Sequence, residues 1–323
     1  MMKQKMFKNV NNKTGIIIFG AVVAIFVALP IFAFSGRHAD LYVNAKANGT
    51  ENGSKEHPYE TISQAIHKAK GNTEIHVSNG EYKENITIKK DVKILGEDKK
   101  KTIIKAKKDK WATVTMKDGS EINDFTIKNG EVGILVESHD SAKIINCIVK
   151  NNDQDGIFIE GSDIKKSHQV IISKTEVKEN NWSGIFSNGP RRVVVTESDI
   201  LNNKKDGIDL ARGASAWIAG NSINENKGSG LKLTVDASDI WTKNNSVRRN
   251  SREGMEVSFF GGSGRVDVSK SKFVGNGFYG IAKIQRASFG NSVGSWNKYL
   301  TIDGKNEFWD NGKGSISNIF HII

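Results

Sequence analysis

Through the middle of the chain, apolar and polar residues alternate in short runs, and the runs return in the same order every two dozen or so residues. In "INCIVKNN", "NNDQDGIFI" and "NNKKDGIDL" β-branched residues recur at alternate positions between breaks rich in Asn and Gly. A period of two marks short strands with one buried face each. One phrase sets their register: Asn, three variable residues, Gly, then an apolar residue. Its glycines are Gly133, Gly156, Gly184, Gly207, Gly230, Gly254 and Gly280, and successive subtraction gives spacings of 23, 28, 23, 23, 24 and 26. The residue after each is Ile134, Ile157, Ile185, Ile208, Leu231, Met255 or Ile281. From the second repeat onward, seven residues before the Gly stands Val149, Val177, Ile200, Ile223, Val247 or Phe273. Twelve before it stands Ile144, Ile172, Val195, Ile218, Thr242 or Val268.

A repeat of this length is too short for a propeller blade and lacks the paired helical patterns of a helical solenoid. Three short strands and their turns make one coil. Coils stacked about 4.8 Å apart let every strand pair in parallel with the strands above and below. The prediction is an all-β parallel β-helix. The Asn column (Asn129, Asn152, Asn180, Asn203, Asn226, Asn250 and Asn276) is predicted to form a buried amide ladder, and the Gly to let the chain bend into the next strand.

A further column has the opposite parity and is predicted to face outward. Thirteen residues before the Gly it reads Lys143, Ile171, Val194, Trp217, Trp241, Asp267. Trp217 and Trp241 stand on neighbouring coils, edged by Arg192, Asp239, Lys243 and Arg265, which makes them the candidate substrate-binding residues. The competing expectation is that a loop or a second subunit covers them.

Towards the amino end, residues 1–14 carry Lys3, Lys5, Lys8 and Lys13 and precede a charge-free run from Gly15 to Phe34. Residues 15–34 are long enough to span a bilayer, with the lysines on the cytoplasmic side. They are read as one transmembrane helix or uncleaved signal anchor. Cleavage near Ser35 to give a secreted protein is the alternative. Residues 35–40 are a linker and 41–323 the β-helix domain. After Pro58, the residues Ile62, Ala65, Ile66 and Ala69 share one helical face and Gly71 can end the helix, predicting a short cap over the first coil. Between Gly280 and Gly314 the spacing grows to 34 residues, so an insertion at 284–300 is expected to leave the stack as a loop. The apolar residues of "NIFHII" (Ile319, Phe320, Ile322 and Ile323) are expected to close the last coil or to meet a partner.

The repeat phrases resemble those of the right-handed parallel β-helix repeat of the pectin-lyase-like superfamily, from about Leu41 to the carboxyl end. That resemblance implies the handedness, and it implies that the stretch through His57 and Pro58 is the opening segment of an exported β-helix. It does not name an activity, because the superfamily mixes lyases, hydrolases, epimerases and proteins without catalysis. "KKDGIDL" is similar to a polygalacturonase phrase with aspartates flanking Gly-Ile, which makes Asp206 and Asp209 catalytic candidates. The later aspartate pair, Gly-His-Gly and Arg-Ile-Lys phrases of that family are missing. Asp155 shares the Asp206 column two coils away, about 9.6 Å, near the upper limit for an inverting carboxylate pair. "AWIAGN" is similar to the Trp-Ile-Asp-His strand of pectate lyases, but Ala219 and Gly220 occupy the Asp and His positions. Arg191, Arg192, Arg212, Arg248 and Arg249 are surface arginines from which such a lyase would draw its base.

The chain of 323 residues is 37% hydrophobic with a mean hydropathy of −0.43, which suits one elongated domain. A net charge of +11 and a pI near 9.4 favour anionic partners: acidic polysaccharide, teichoic-type polymer or lipid headgroups, with no nucleic acid expected. Oligomeric state is left open. The single cysteine, Cys147, cannot form an intrachain disulfide and reads as a buried small residue. Histidines stand at 38, 57, 67, 76, 139, 168 and 321, none in a repeated column or beside another metal-type ligand, so no metal or cofactor is expected. Asn151, Asp153 and Asp155 are similar to the start of a Ca2+-binding EF-hand loop, but Ser162 stands where a Glu is required. "GGSGRVDV" departs from the Ca2+-binding nonapeptide at Val266. The reading is a membrane-anchored, extracytoplasmic β-helix that binds an acidic polysaccharide. Its rivals are a lyase, hydrolase or epimerase using Asp155, Asp206 and Asp209, and a structural surface protein.

Overall fold

The computed structural model describes residues 40–107, 111–161, 168–211, 213–260, 263–286 and 296–322. Among these residues, short strands stack into three parallel sheets of 11, 10 and 10 strands, visited in turn by the chain, and the coils wind right-handed. We call the 11-stranded sheet A, the sheet reached next B and the third C. The β-branched columns are the reason. In sheet A, Ile144, Ile172, Val195, Ile218, Thr242 and Val268 lie in register and are all buried. In sheet B, Val149, Val177, Ile200, Ile223, Val247 and Phe273 do the same. Each such Val, Ile or Phe side chain contributes about 1.5 to 3 kcal/mol by leaving water, so register is fixed by the core rather than by the turns.

Asn152, Asn180, Asn203, Asn226, Asn250 and Asn276 form the buried ladder, each Nδ2 donating to the next Oδ1 at 2.9 to 3.0 Å. The last acceptor is Asn311, which the spacing did not reveal because Ser315 replaces the expected Gly. Asn129 is outside the ladder, contrary to the column. Its coil is one residue shorter, so Gly130 takes the ladder position and donates its N–H to Asn152 Oδ1 at 3.0 Å. Asn129 instead adopts a left-handed turn with φ 65°. A second ladder runs parallel to the first, nine residues before the Gly column. Backbone N–H groups of Cys147, Thr175, Ser198, Asn221, Asn245 and Ser271 donate to the side chains of Thr175, Ser198, Asn221, Asn245, Ser271 and Asn306.

The amino end is capped by α1 (Ile62–Lys68), with Thr61 and Gln64 forming a capping box. Ile62, Ala65 and Ile66 face the core, while the helix ends at Ala69 rather than Gly71. Coil residues grip both ends. Glu84 accepts from the N–H groups of Ile62 and Ser63 at 2.9 Å each, and Lys89 Nζ donates to the carbonyls of His67 and Ala69. An anion at the first turn and a cation at the last both complement the helix dipole.

At the carboxyl end the described parts of the insertion are strand and helix rather than loop. Ile284–Arg286 continue the strand Tyr279–Arg286, and α2 (Trp296–Tyr299) returns Trp296 to the core, edge-on to Phe259 at 5.1 Å. The strand Gly314–Ile322 pairs with Tyr279–Arg286. Ile319 does not close the last coil, for it remains 41% exposed. The proposed anchor, residues 15–34, lies outside the described residues. Among those described, no helix is long and apolar enough to cross a membrane.

Candidate functional site

Strand alternation in sheet A turns Ile171, Val194, Trp217, Trp241 and Asp267 outward in one continuous row, each opposite the next. All five are half-buried by neighbours on the same face. Arg192, Ser215, Asp239 and Arg265 form the adjacent outward row, and Ala219, Lys243 and Ser269 the row on the other side. The apolar strip is thus flanked by charge on both sides. Arg265 is engaged with Asp267 through two contacts of 2.7 and 2.8 Å. Burial pushes the Asp239 carboxyl up, against the pull of the Arg265 charge. Arg191, expected at the surface, is 2% exposed and donates to the carbonyls of Glu137 and Asp140, because strand alternation turns it inward. Arg212 lies outside the described residues.

The carboxylate candidates lie on sheet C and its preceding turn. Asp155 is buried and accepts from Ser183 N–H at 2.9 Å, and Asp206 accepts from Ser229 N–H at 2.7 Å. Both therefore cap the turn of the next coil, and Asp155 is left only 3% exposed. Burial pushes the Asp155 carboxyl up to about 6, partly opposed by the Ser183 bond and the Lys205 charge. Asp209 faces outward beside Lys232, whose Nζ lies 2.8 Å from it and 3.6 Å from Asp206. Burial raises the Asp209 carboxyl against the Lys232 charge. Lys232 stays cationic: burial lowers its proton affinity, but Asp209, Asp206 and Glu256 outweigh that.

Sequence reasoning missed Lys232, Glu256 and Trp182. Lys232 and Glu256 continue the Asp209 row, preceded by Phe158 and Phe186. Trp182 is 40% exposed with Lys205 Nζ over its ring at 3.9 Å. Their offset from the Gly column is regular, but their chemistry differs at each coil, so no repeated letter marks them. Of the calcium candidates, Asn151 and Asp153 are exposed while Asp155 turns into the stack and accepts from Ser183 N–H. The histidine pattern also needs correction, because His76 lies against Asp40 and Glu74. Cys147 is buried and unpaired, its thiol pushed up to about 12 by burial.

A stack of parallel coils in three sheets, with outward rows along the stack, defines a parallel β-helix. Residues 132–295 match the family model described as right handed beta helix region, and the chain belongs to that family. Similar solved structures include the pectate lyase Pel9A (15% identity, 87% of this chain and 78% of that one, TM-score 0.52). Others are a pectin methylesterase from carrot (14%, 88% and 90%, TM-score 0.45) and the A-module of the Azotobacter vinelandii mannuronan C-5 epimerase AlgE4 (14%, 85% and 97%, TM-score 0.48). At these identities the likeness is one of fold. No curated protein matches the chain in sequence.

Proposed function

We propose that this protein binds an acidic polysaccharide along the outward face of sheet A, from a position outside the cytoplasm fixed by an N-terminal membrane anchor. The observation that carries the reading is the register of Trp217 opposite Trp241, extended by Val194 and Ile171. The row runs along the stack, so a linear polymer lying on it meets a new strand about every 4.8 Å. Flat apolar rings stack on sugar faces, and Arg192 and Lys243 attract carboxylates. The anchor rests on the charge-free run Gly15–Phe34 behind Lys3, Lys5, Lys8 and Lys13.

One observation favours a second reading, a lyase, hydrolase or epimerase. Asp209, with its raised carboxyl, and Lys232 sit side by side on an outward row, as an acid or base and its charge partner would. Incubating the full chain with a panel of acidic polysaccharides separates the two. Retention without new reducing or unsaturated ends is the expected result, cleavage or epimerisation would favour the enzyme, and neither would dismiss both. Sedimentation that depends on Trp217 and Trp241 would favour a structural surface protein.

A further inference from the structure

We propose that Asp40, Glu74 and His76 form a binding site for a first-row divalent transition ion, with Zn2+ as the test case, and that the ion fastens the first strand to the stack. Strands β1 (Leu41–Val43) and β2 (Glu74–Val77) pair in parallel with Leu41 opposite Ile75 and Tyr42 opposite His76. Continuing that register sets Asp40 beside Glu74. Because Val43, Ile75 and Val77 are buried, alternation turns Asp40, Tyr42, Glu74 and His76 to the outward face. One donor atom from each of Asp40, Glu74 and His76 lies within 4.8 Å of the other two.

His76 Nε2 stands 3.5 Å from Asp40 Oδ2. In a tetrahedral zinc site with bonds of about 2.0 to 2.1 Å, neighbouring donors are about 3.4 Å apart, so this edge is already set. The same nitrogen is closed to solvent and has no hydrogen-bond partner, a costly state that a bound cation relieves. Tyr42 stacks on the imidazole at 5.1 Å and 19° and so holds its plane. Lys93 competes, but loosely: its Nζ lies 3.7 Å from Glu74 and 3.6 Å from Glu121, so it keeps a partner when Glu74 takes a metal.

The donor set decides the ion. One imidazole with two carboxylates suits Zn2+ and its first-row neighbours. Ca2+ takes six to eight oxygens, and three protein donors including a nitrogen serve it poorly. The benefit is mechanical, because among the described residues β1 pairs with one strand of its sheet, β2, with one further bridge from Val43 to Tyr59. The purely electrostatic alternative is an Asp40–His76 ion pair with no ion bound.

The test is calorimetric titration of ZnCl2 into the full chain after chelator treatment. One saturable equivalent is expected, with a rise of a few degrees in Tm. Binding should weaken at least tenfold in His76→Ala and in Glu74→Gln and persist in His57→Ala, with circular dichroism checking the fold. Should a substitution unfold the chain, Co2+ added to the unsubstituted protein decides: intense four-coordinate bands support the site, and the spectrum of the hydrated ion overturns it. Absence of saturable binding, or binding that survives both substitutions, also overturns it.

Discussion

Asn203 donates its side-chain amide to Asn226 Oδ1 across 3.0 Å inside the stack, and to the carbonyl of Val177 across 3.1 Å. Its own Oδ1 accepts from the backbone N–H of Asn180 at 3.2 Å and from its Nδ2 at 2.9 Å. Asn203→Leu would therefore strand buried groups in two neighbouring coils. A loss of about 1 to 3 kcal/mol is expected, read as a lower urea midpoint. Asn129→Gly is the comparison, because position 129 only needs a left-handed turn. It should stay within about 0.5 kcal/mol of the parent, and equal midpoints for both variants would sink the distinction.

The Gly column makes a separate prediction. A Cβ at Gly207 would lie 2.6 Å from the carbonyl oxygen of Gly230 and 2.7 Å from Ile223 Cγ2, whereas one at Gly304 would meet nothing within 4 Å. Backbone cannot retreat without disturbing the pairing of Ile208 with Leu231. Gly207→Ala should cost about 1 to 3 kcal/mol, and Gly304→Ala almost nothing. Thermal unfolding of the two variants checks this.

What could be read from sequence was whatever recurs as the same letter at a fixed offset. Columns such as Val149–Phe273 and Ile144–Val268 map directly onto the core, because apolar burial tolerates only a narrow range of residues. The Asn column slipped at Asn129 because one missing residue in the turn moves Gly130 into the ladder, which letter matching cannot see. The second ladder was invisible for a different reason. Its position asks only for a short acceptor, and Thr175, Ser198, Asn221 and Asn306 all supply one. Trp217 and Trp241 were placed by parity. Asp40 and His76 were not, since the long loop and helix between β1 and β2 separate in sequence what the sheet pairs in space.

Asp155 gives the chain a pH signature. Its carboxyl titrates near 6 in the folded state, against about 3.9 in the unfolded chain. Below pH 4 both states hold the proton. Between about 4 and 6 the folded state keeps a proton that the unfolded state releases, so stability falls as pH rises. Above 6 the full penalty, about 2 to 3 kcal/mol, is present. Asp155→Asn keeps an oxygen for Ser183 N–H without the charge. It should flatten the fall between pH 4 and 6 and stabilise the protein at pH 7 by about 1 to 2 kcal/mol. A difference curve against the parent isolates this group from Asp209 and Asp239, whose carboxyls are also raised.

The last prediction concerns Trp217 and Trp241. Their strands are locked by the inward residues Ala216, Ile218, Ile240 and Thr242, all buried, so the platform exists whether or not the rings are present. Binding a polymer there orders little of the protein, and shallow contacts repeated along the row can sum to a measurable affinity. Replacing both rings by alanine should abolish retention on the acidic polysaccharide that the parent binds. Because each ring is only half-buried, each substitution should cost roughly 1 kcal/mol, well below the about 2 to 5 kcal/mol expected of Ile218→Ala in the core. Retention by the double variant at parental strength would move the binding face elsewhere, with the Phe158, Phe186 and Asp209 row of sheet C next in line. A stability loss as large as that of Ile218→Ala would show the rings serving the fold instead.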